Sequence, residues 1–244
     1  MNRMGRATVM LAVGTVLVRL LWNGGFGWFV QQRMRWPLIG AAAVLCVFGL
    51  YEAISDARHS GTREGADTGS RPVGPGVGWL LGLPIIVLVL VAPTGLGAAA
   101  ADRVDAYQPV ETAGEFPPID DSDGPVEMRV FDFLDRAAWD PDRSLEGITV
   151  RLEGLVVNDD EVTDGFKLTK FLVSCCAADG IPLQVVVHGA PPIANDTWVV
   201  ADVIWREPEV PYIETPGDWV IEADAVEVTV VDGDVPKDPY ESPY

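Results

Sequence analysis

PLIGAAAVLCVFGLYEAI, residues 37–54, is an apolar stretch whose one charged residue is Glu52. Two further apolar runs lie at residues 7–22 and at residues 78–101. A helix needs about 20 mostly apolar residues to cross a bilayer, with about 17 as the lower limit. The third run exceeds this length and the first two approach it. Residues 1–101 are therefore predicted to form a transmembrane anchor of three α-helical spans.

Tryptophans mark the ends of these apolar runs. Trp22 closes the first run, Trp28 and Trp36 lie between the first and second, and Trp79 opens the third. Indole rings favour the headgroup region of a bilayer, so their positions support the predicted span boundaries. The charged residue of the first run, Arg19, lies near its end, where its long side chain can reach the interface.

The first apolar run also resembles a signal peptide, because Arg3 and Arg6 precede a short apolar core. The apolar runs that follow it, and the lack of a small-x-small cleavage sequence directly after Trp22, favour an uncleaved span. Residues 95–101, GLGAAAA, look more like a cleavage site. Cleavage there would release the C-terminal part of the chain and is the less favoured alternative.

Arginines in the loops between the spans predict the orientation, because positive charge is enriched on the cytoplasmic side. The N-terminus and the second loop lie on one side and carry five arginines, against three on the other side. These five are Arg3, Arg6, Arg58, Arg63 and Arg71, and the three are Arg33, Arg35 and Arg103. The C-terminal domain is therefore predicted to be extracytoplasmic.

Charge divides the chain into two environments. Residues 1–101 carry eight Arg or Lys against four Asp or Glu, whereas residues 102–244 carry nine basic against 32 acidic residues. The net charges are +4 and −23, which together give the −19 of the whole chain. A domain this acidic repels phosphate, so nucleic-acid binding is excluded as a predicted function. A role in handling cations agrees with the sign of the charge, although an acidic surface also serves solubility.

The acidic half is predicted to be mainly β. Residues 102–125 are acidic and contain four prolines, which indicates an extended linker. Order is expected over residues 126–234, with a short helix at residues 130–139 and a tail at residues 235–244. From Gly147 onward apolar and polar residues alternate, and further strand-like segments follow at residues 166–173, 183–187, 198–204 and 219–231. Five short strands after one helix predict a small OB-like barrel or an open sandwich.

Cys175 and Cys176 are the candidate site, because they are adjacent and directly follow a predicted strand. Neighbouring strand residues face opposite sides, so the chain is expected to turn there. Four interpretations remain open: a vicinal disulfide, a redox thiol pair, ligation of a thiophilic metal ion, and a pair of small residues at a crowded turn. For a metal ion, Asp179 completes the predicted set and His188 is a further possible ligand.

The segment KFLVSCCAAD, residues 170–179, followed by IPL at residues 181–183, resembles the C-terminal signature of a bacterial permease-subunit family. The segment FVQQRM, residues 29–34, is similar to that family's N-terminal pattern. The resemblance covers the first two spans and about residues 145–231. It implies a few N-terminal spans, a C-terminal domain with a Cys-Cys-Ala-Ala-Asp core, and a separate multi-span permease as partner. It gives weight to Cys175, Cys176 and Asp179, and it implies no particular substrate.

The predicted function is therefore that of an accessory membrane subunit of a two-component permease, embedded in the lipid bilayer. The alternative is an envelope metal-binding or thiol-redox module that acts without a permease. An enzyme is not expected, because the sequence has no Ser-His-Asp order, no phosphate-binding glycine loop and no HExxH motif. A thiophilic metal ion is the one cofactor that the sequence suggests.

Overall fold

The computed structural model describes residues 3–23, 25–60, 95–110, 116–122, 124–208, 220–231 and 239–243. The chain divides into two compact units, Met1–Thr94 and Gly95–Tyr244.

The first unit is a helical hairpin. Helix α1 spans Arg3–Trp22 and helix α2 spans Arg35–Ser60, and two short 3₁₀ helices, Gly25–Trp28 and Gln32–Met34, lie between them. The two long helices pack against each other along their length. Their contacts run in opposite chain directions, as expected for an antiparallel hairpin.

Two glycines bring α1 and α2 into close contact. A Cβ atom at Gly14 of α1 would lie 2.7 Å from the Cys46 Sγ atom, and one at Gly49 of α2 would lie 2.8 Å from the Leu11 Cγ atom. Both distances are too short for a real side chain, so these positions require glycine as the helices are now packed. Small residues at helix interfaces are typical of packing in membranes, where close contact replaces the hydrophobic effect.

The outer surface of the hairpin is apolar. Large side chains of α2 such as Val47, Phe48 and Tyr51 are more than half exposed. Among the described residues, one helical stretch is long and apolar enough to cross a membrane, Gln32–Ser55, and Ala7–Trp22 is a shorter apolar helix. The prediction of a transmembrane anchor is thus supported for one or two spans. Most of the predicted third span, residues 78–94, lies outside the described residues.

The end of the predicted third span belongs to the second unit. The four-residue helix α3, Ala98–Ala101, buries Ala98 and Ala101 in an apolar cluster with Phe171 and other residues of the β domain. The backbone N–H of Ala98 also donates to the Asp196 Oδ1 atom at 2.6 Å. Residues 95–101 therefore do not form part of a spanning helix, because their small side chains pack on the domain instead.

The second unit is a five-stranded barrel. Its long strands are β2 (Thr149–Val157), β3 (Gly165–Leu172), β4 (Ile181–His188), β5 (Trp198–Arg206) and β6 (Glu222–Val230). They pair in the closed order β2-β3-β4-β6-β5, and β5 returns to pair with β2. The β4–β6 pair is parallel and the other four pairs are antiparallel. The predicted small OB-like barrel is confirmed, and the alternative of an open sandwich is not.

Alternation along the strands fills the barrel with side chains. Val150 and Leu152 of β2 are fully buried, and they share one core with residues of the other four long strands. Helix α4, Val130–Trp139, contributes Val130, Phe133, Leu134 and Ala137 to the same core. The predicted helix at residues 130–139 is confirmed.

Two short strands extend the sheet at its margins. Strand β1, Val126–Glu127, pairs with β2, and strand β7, Tyr240–Glu241, pairs with β3, both in parallel. Residues 235–244 were predicted to be a tail. The pairing of β7 differs from that prediction, because Tyr240 packs against an apolar cluster and the Glu241 carboxylate finds backbone donors in α4.

The segment predicted to be a linker also contacts the domain. In the described parts of residues 102–125 the chain is mostly irregular, as expected. Tyr107, however, packs against the barrel core. Its backbone N–H donates to the Pro182 carbonyl at 2.8 Å, and its hydroxyl donates to the Asp135 Oδ1 atom at 3.1 Å. Order in this unit thus begins well before Val126.

Candidate functional site

The two adjacent cysteines lie in the connection between β3 and β4. Strand β3 ends at Leu172, a 3₁₀ helix covers Ala177–Asp179, and β4 begins at Ile181. The predicted turn at the cysteines is thus present. Phe171 and Val173 are buried just before it, so the barrel core fixes the base of this turn.

The carboxylate of Asp179 organises the turn. Its Oδ1 atom accepts the backbone N–H of Ser174 at 2.9 Å, and its Oδ2 atom accepts the N–H of Cys175 at 2.8 Å. The N–H of Cys176 points to the same Oδ2 atom at 3.5 Å. Three consecutive backbone groups are therefore directed at one side chain, and this holds both cysteines in place.

Cys176 caps the short 3₁₀ helix that follows it. Its side chain accepts the backbone N–H of Asp179, while the Asp179 side chain accepts the N–H of Cys176. This reciprocal arrangement is a capping box with cysteine in the position usually held by serine or threonine. The sequence reasoning missed this role of Asp179, although the spacing Cys176-x-x-Asp179 matches that of a capping box.

The turn places the two thiols on the same side. The sulfur atoms of Cys175 and Cys176 lie 3.8 Å apart, and both cysteines are free. Cys175 is exposed and Cys176 is partly buried. A disulfide requires about 2.05 Å between the sulfurs, so the structure shows the dithiol form of this pair.

Asp179 also sets the protonation of the neighbouring thiol. The Cys175 thiol donates hydrogen bonds to Asp179 and to Cys176, and these raise its pKa from 9.0 to about 11. Burial raises the pKa of the Asp179 carboxyl, but the hydrogen bonds from the Cys175 thiol and the turn's backbone outweigh burial and hold it below its usual value. At neutral pH the cluster is thus one carboxylate beside a protonated thiol.

Three groups of the turn can act together on a cation. The ligand atoms of Cys175, Cys176 and Asp179 all lie within 4.8 Å of one another. Two sulfurs and one carboxylate oxygen form a donor set that suits zinc and similar thiophilic ions. The structure thus brings together the three residues that the sequence selected as metal ligands.

His188, the further ligand considered from the sequence, lies elsewhere. It ends β4, whereas the cysteines precede the start of that strand, and seven residues of strand separate the two ends by about 23 Å. Its Nδ1 atom lies 2.8 Å from the Asp164 Oδ1 atom, and its Nε2 atom lies 3.3 Å from the Glu222 Oε2 atom. The structure does not bring His188 to the cysteines.

The basic residue of the signature segment has a structural partner. Lys170 is 8 % exposed, and its Nζ atom lies 3.0 Å from the Glu153 Oε2 atom on the neighbouring strand. This ion pair joins β3 to β2 below the turn. The first residues of the segment at residues 170–179 therefore stabilise the barrel, and its exposed reactive side chains lie in the turn.

Comparison with known proteins gave no match to a protein family, to a curated protein or to a solved structure.

Proposed function

We propose that this protein is an accessory membrane subunit of a two-component permease, with an acidic β domain on the extracytoplasmic side. The observation that carries the proposal is the apolar outer surface of the α1–α2 hairpin. Val47, Phe48 and Tyr51 need lipid or other apolar helices around them, because water would leave large apolar side chains unfavourably hydrated.

The need for a partner follows from the size of the anchor. One face of α2 is occupied by α1 through Gly49 and its contact with Leu11. Transporters build their substrate paths at the midplane between helix bundles formed by repeats. Two packed helices, even with a third apolar run at residues 78–101, are too few to enclose such a path. A multi-span permease that supplies the path agrees with the resemblance of residues 170–179 to the subunit family.

The proposed orientation rests on the arginine distribution. Five arginines on the side of the N-terminus and second loop, against three on the other, favour a cytoplasmic N-terminus. A third span within residues 78–94 would then place the β domain outside. There the Cys175–Cys176 turn would meet solutes before they reach the permease.

Affinity purification of the full-length chain from its native membranes tests this proposal. A tagged chain is cross-linked in cells, solubilised and analysed by mass spectrometry. We expect a multi-span membrane protein in stoichiometric amount, and the reciprocal purification should return this chain. The double variant Cys175→Ser/Cys176→Ser is the matched control, because pairing through the helices leaves the partner bound. The proposal would be contradicted if no multi-span membrane protein co-purified with this chain in stoichiometric amount, or if purification of the candidate partner did not return this chain.

A second candidate is an envelope metal-binding module that acts without a permease, and the 3.8 Å spacing of the two sulfurs favours it. The thiol-redox version of this candidate is less supported. Nucleophilic cysteines have a lowered pKa, whereas that of Cys175 is raised to about 11. Metal binding that persists in a strain lacking every co-purifying membrane protein would favour this second candidate.

A further inference from the structure

We infer that the turn at Cys175, Cys176 and Asp179 is an exchangeable site for one four-coordinate thiophilic divalent cation of the Zn²⁺ or Cd²⁺ class. The inference rests on the metal-binding candidate above and specifies its ligands and its class of ion, and it is independent of the permease partner because binding to the purified chain needs no permease. It rests on the spacing of the sulfurs, on the preset backbone of the turn and on the exposure of the site.

The spacing of the sulfurs fits tetrahedral coordination. Two zinc–sulfur bonds of about 2.3 Å at a tetrahedral angle place their sulfurs about 3.8 Å apart. The Sγ atoms of Cys175 and Cys176 are 3.8 Å apart. An ion that prefers two ligands in a straight line would need the sulfurs farther apart, and a disulfide would need them at about 2.05 Å.

The third ligand comes from Asp179. A carboxylate offers about four lone-pair positions. The N–H groups of Ser174, Cys175 and Cys176 occupy up to three of them, and the Cys175 thiol donates to the same carboxylate. When a cation binds the Cys175 sulfur, that sulfur no longer donates a hydrogen bond to Asp179. The position that the Cys175 thiol occupied on Asp179 then becomes free for the ion.

The backbone of the turn is already arranged for binding. Asp179 holds the three consecutive N–H groups, and the capping box with Cys176 fixes the start of the 3₁₀ helix. Ligands that are fixed beforehand lose little conformational entropy when the ion arrives. The buried Phe171 and Val173 anchor the turn to the barrel core, so folding of the domain does not depend on the ion.

The exposure of the turn indicates exchange. Structural zinc sites are closed by four protein ligands, whereas sites with three protein ligands keep a position for water or another molecule. Cys175 and Asp179 are exposed and Cys176 is partly buried, so an ion held here stays accessible. The domain around it carries an excess of acidic residues, which raises the local concentration of cations. An ion bound here therefore exchanges with the surrounding solution.

Cadmium titration of the full-length chain tests the inference. The protein is purified in detergent, reduced, stripped with a chelator and titrated with Cd²⁺, while the ultraviolet thiolate-to-cadmium charge-transfer absorption is recorded. Competition with a zinc-sensitive chelator dye then reports Zn²⁺ binding. We expect one equivalent of Cd²⁺ per chain, and withdrawal of Zn²⁺ from the dye by the metal-free protein.

Variants of the turn should separate the ligands from the scaffold. Cys175→Ser/Cys176→Ser should abolish the absorption, and Asp179→Asn should weaken binding by about 10–100-fold, as expected when a group that ligates or orients the metal is changed. Cys46→Ala and His188→Ala are the matched controls and should bind as the wild type does. If the double variant fails to fold, the folded wild type alkylated at its exposed thiols replaces it.

Two results would overturn the inference. One is the absence of stoichiometric charge-transfer absorption in the reduced and folded wild type. The other is absorption that persists unchanged in the double variant or in the alkylated protein. Neither result bears on the permease partner, whose presence or absence is decided by the purification experiment.

Discussion

The Oε1 atom of Glu241 accepts the backbone N–H of Val130 at 2.8 Å, across 111 positions of the chain. The Oε2 atom of the same carboxylate accepts the N–H of Phe131 at 2.9 Å. Val130 and Phe131 open helix α4, whose first N–H groups have no partner within the helix. A residue of strand β7 therefore caps a helix that precedes the whole barrel.

Replacement of Glu241 should destabilise the β domain. Glu241→Ala removes the acceptors of two backbone N–H groups, one of which is buried, and a buried donor without a partner costs about 1–3 kcal/mol. We expect the free energy of unfolding to fall by about that amount in urea titrations of the full chain followed by tryptophan fluorescence. Glu146→Ala, at an exposed turn position, is the control and should change little. Equal unfolding curves for the two variants would count against the capping role.

A buried carboxyl beside Tyr107 should make stability depend on pH. Burial raises the pKa of Asp135, and nearby Asp132 adds to this, whereas the hydrogen bond from Tyr107 and the charge of Arg129 act in the opposite direction. The pKa of Asp135 in the folded state is therefore above its usual 3.8. Its contribution to the free energy of unfolding is fully present below pH 3.8 and is lost as the pH rises through the raised pKa.

The variant Asp135→Asn isolates this effect. The Asn side chain keeps an oxygen for the Tyr107 hydroxyl but cannot ionise. Relative to the wild type, the variant should therefore gain stability as the pH increases from about 4 to 7, and the gain should vanish at the acid end. Urea titrations of both proteins across this range provide the comparison. A difference that stays constant with pH would show that Asp135 titrates as it does in the unfolded chain.

The close contact of α1 and α2 should not tolerate a larger residue at Gly14. The side chain of Gly14→Leu would meet the Cys46 Sγ atom at 2.7 Å, whereas a Cβ atom at Gly40 has nothing within 4 Å. Overpacking of this kind costs about 1–3 kcal/mol. We expect Gly14→Leu, and not Gly40→Leu, to lose helical circular dichroism at lower SDS concentration than the wild type. If the two variants lost helical circular dichroism at the same SDS concentration, the packing of the hairpin would be contradicted.

The barrel was predictable because its strands alternate. The fully buried Val150 and Leu152 lie at the alternate positions expected from the sequence, and turn residues separate the strands. The role of Glu241 could not be predicted, because it depends on pairing between residues 111 positions apart. An acidic residue near the end of an acidic chain carries no local signal of such a contact. Residues 95–101 were assigned to the end of a membrane span for a related reason, since small apolar residues suit both a membrane span and close packing on a sheet.

The residues of the candidate site could be selected from the sequence, but the geometry of the turn could not. Adjacent cysteines followed by Asp179 made soft-metal ligation one of four open interpretations, and the structure brings these three residues together. His188 was equally plausible from composition, but a strand carries it to the opposite end of the barrel. The end of a strand at which a residue lies can be stated only when the first and last residues of that strand are known, and the sequence does not fix these bounds.

Thiol labelling in intact cells tests the central claim most directly, namely that an extracytoplasmic domain presents the Cys175–Cys176 turn to solvent. Cells that express the full chain with Cys46→Ala are treated with a reductant and a chelator, and then with a membrane-impermeant maleimide. The account predicts labelling of Cys175 before the membrane is opened, and its loss in Cys175→Ser/Cys176→Ser. Labelling that occurs only after the membrane is opened would place the domain in the cytoplasm and contradict the account.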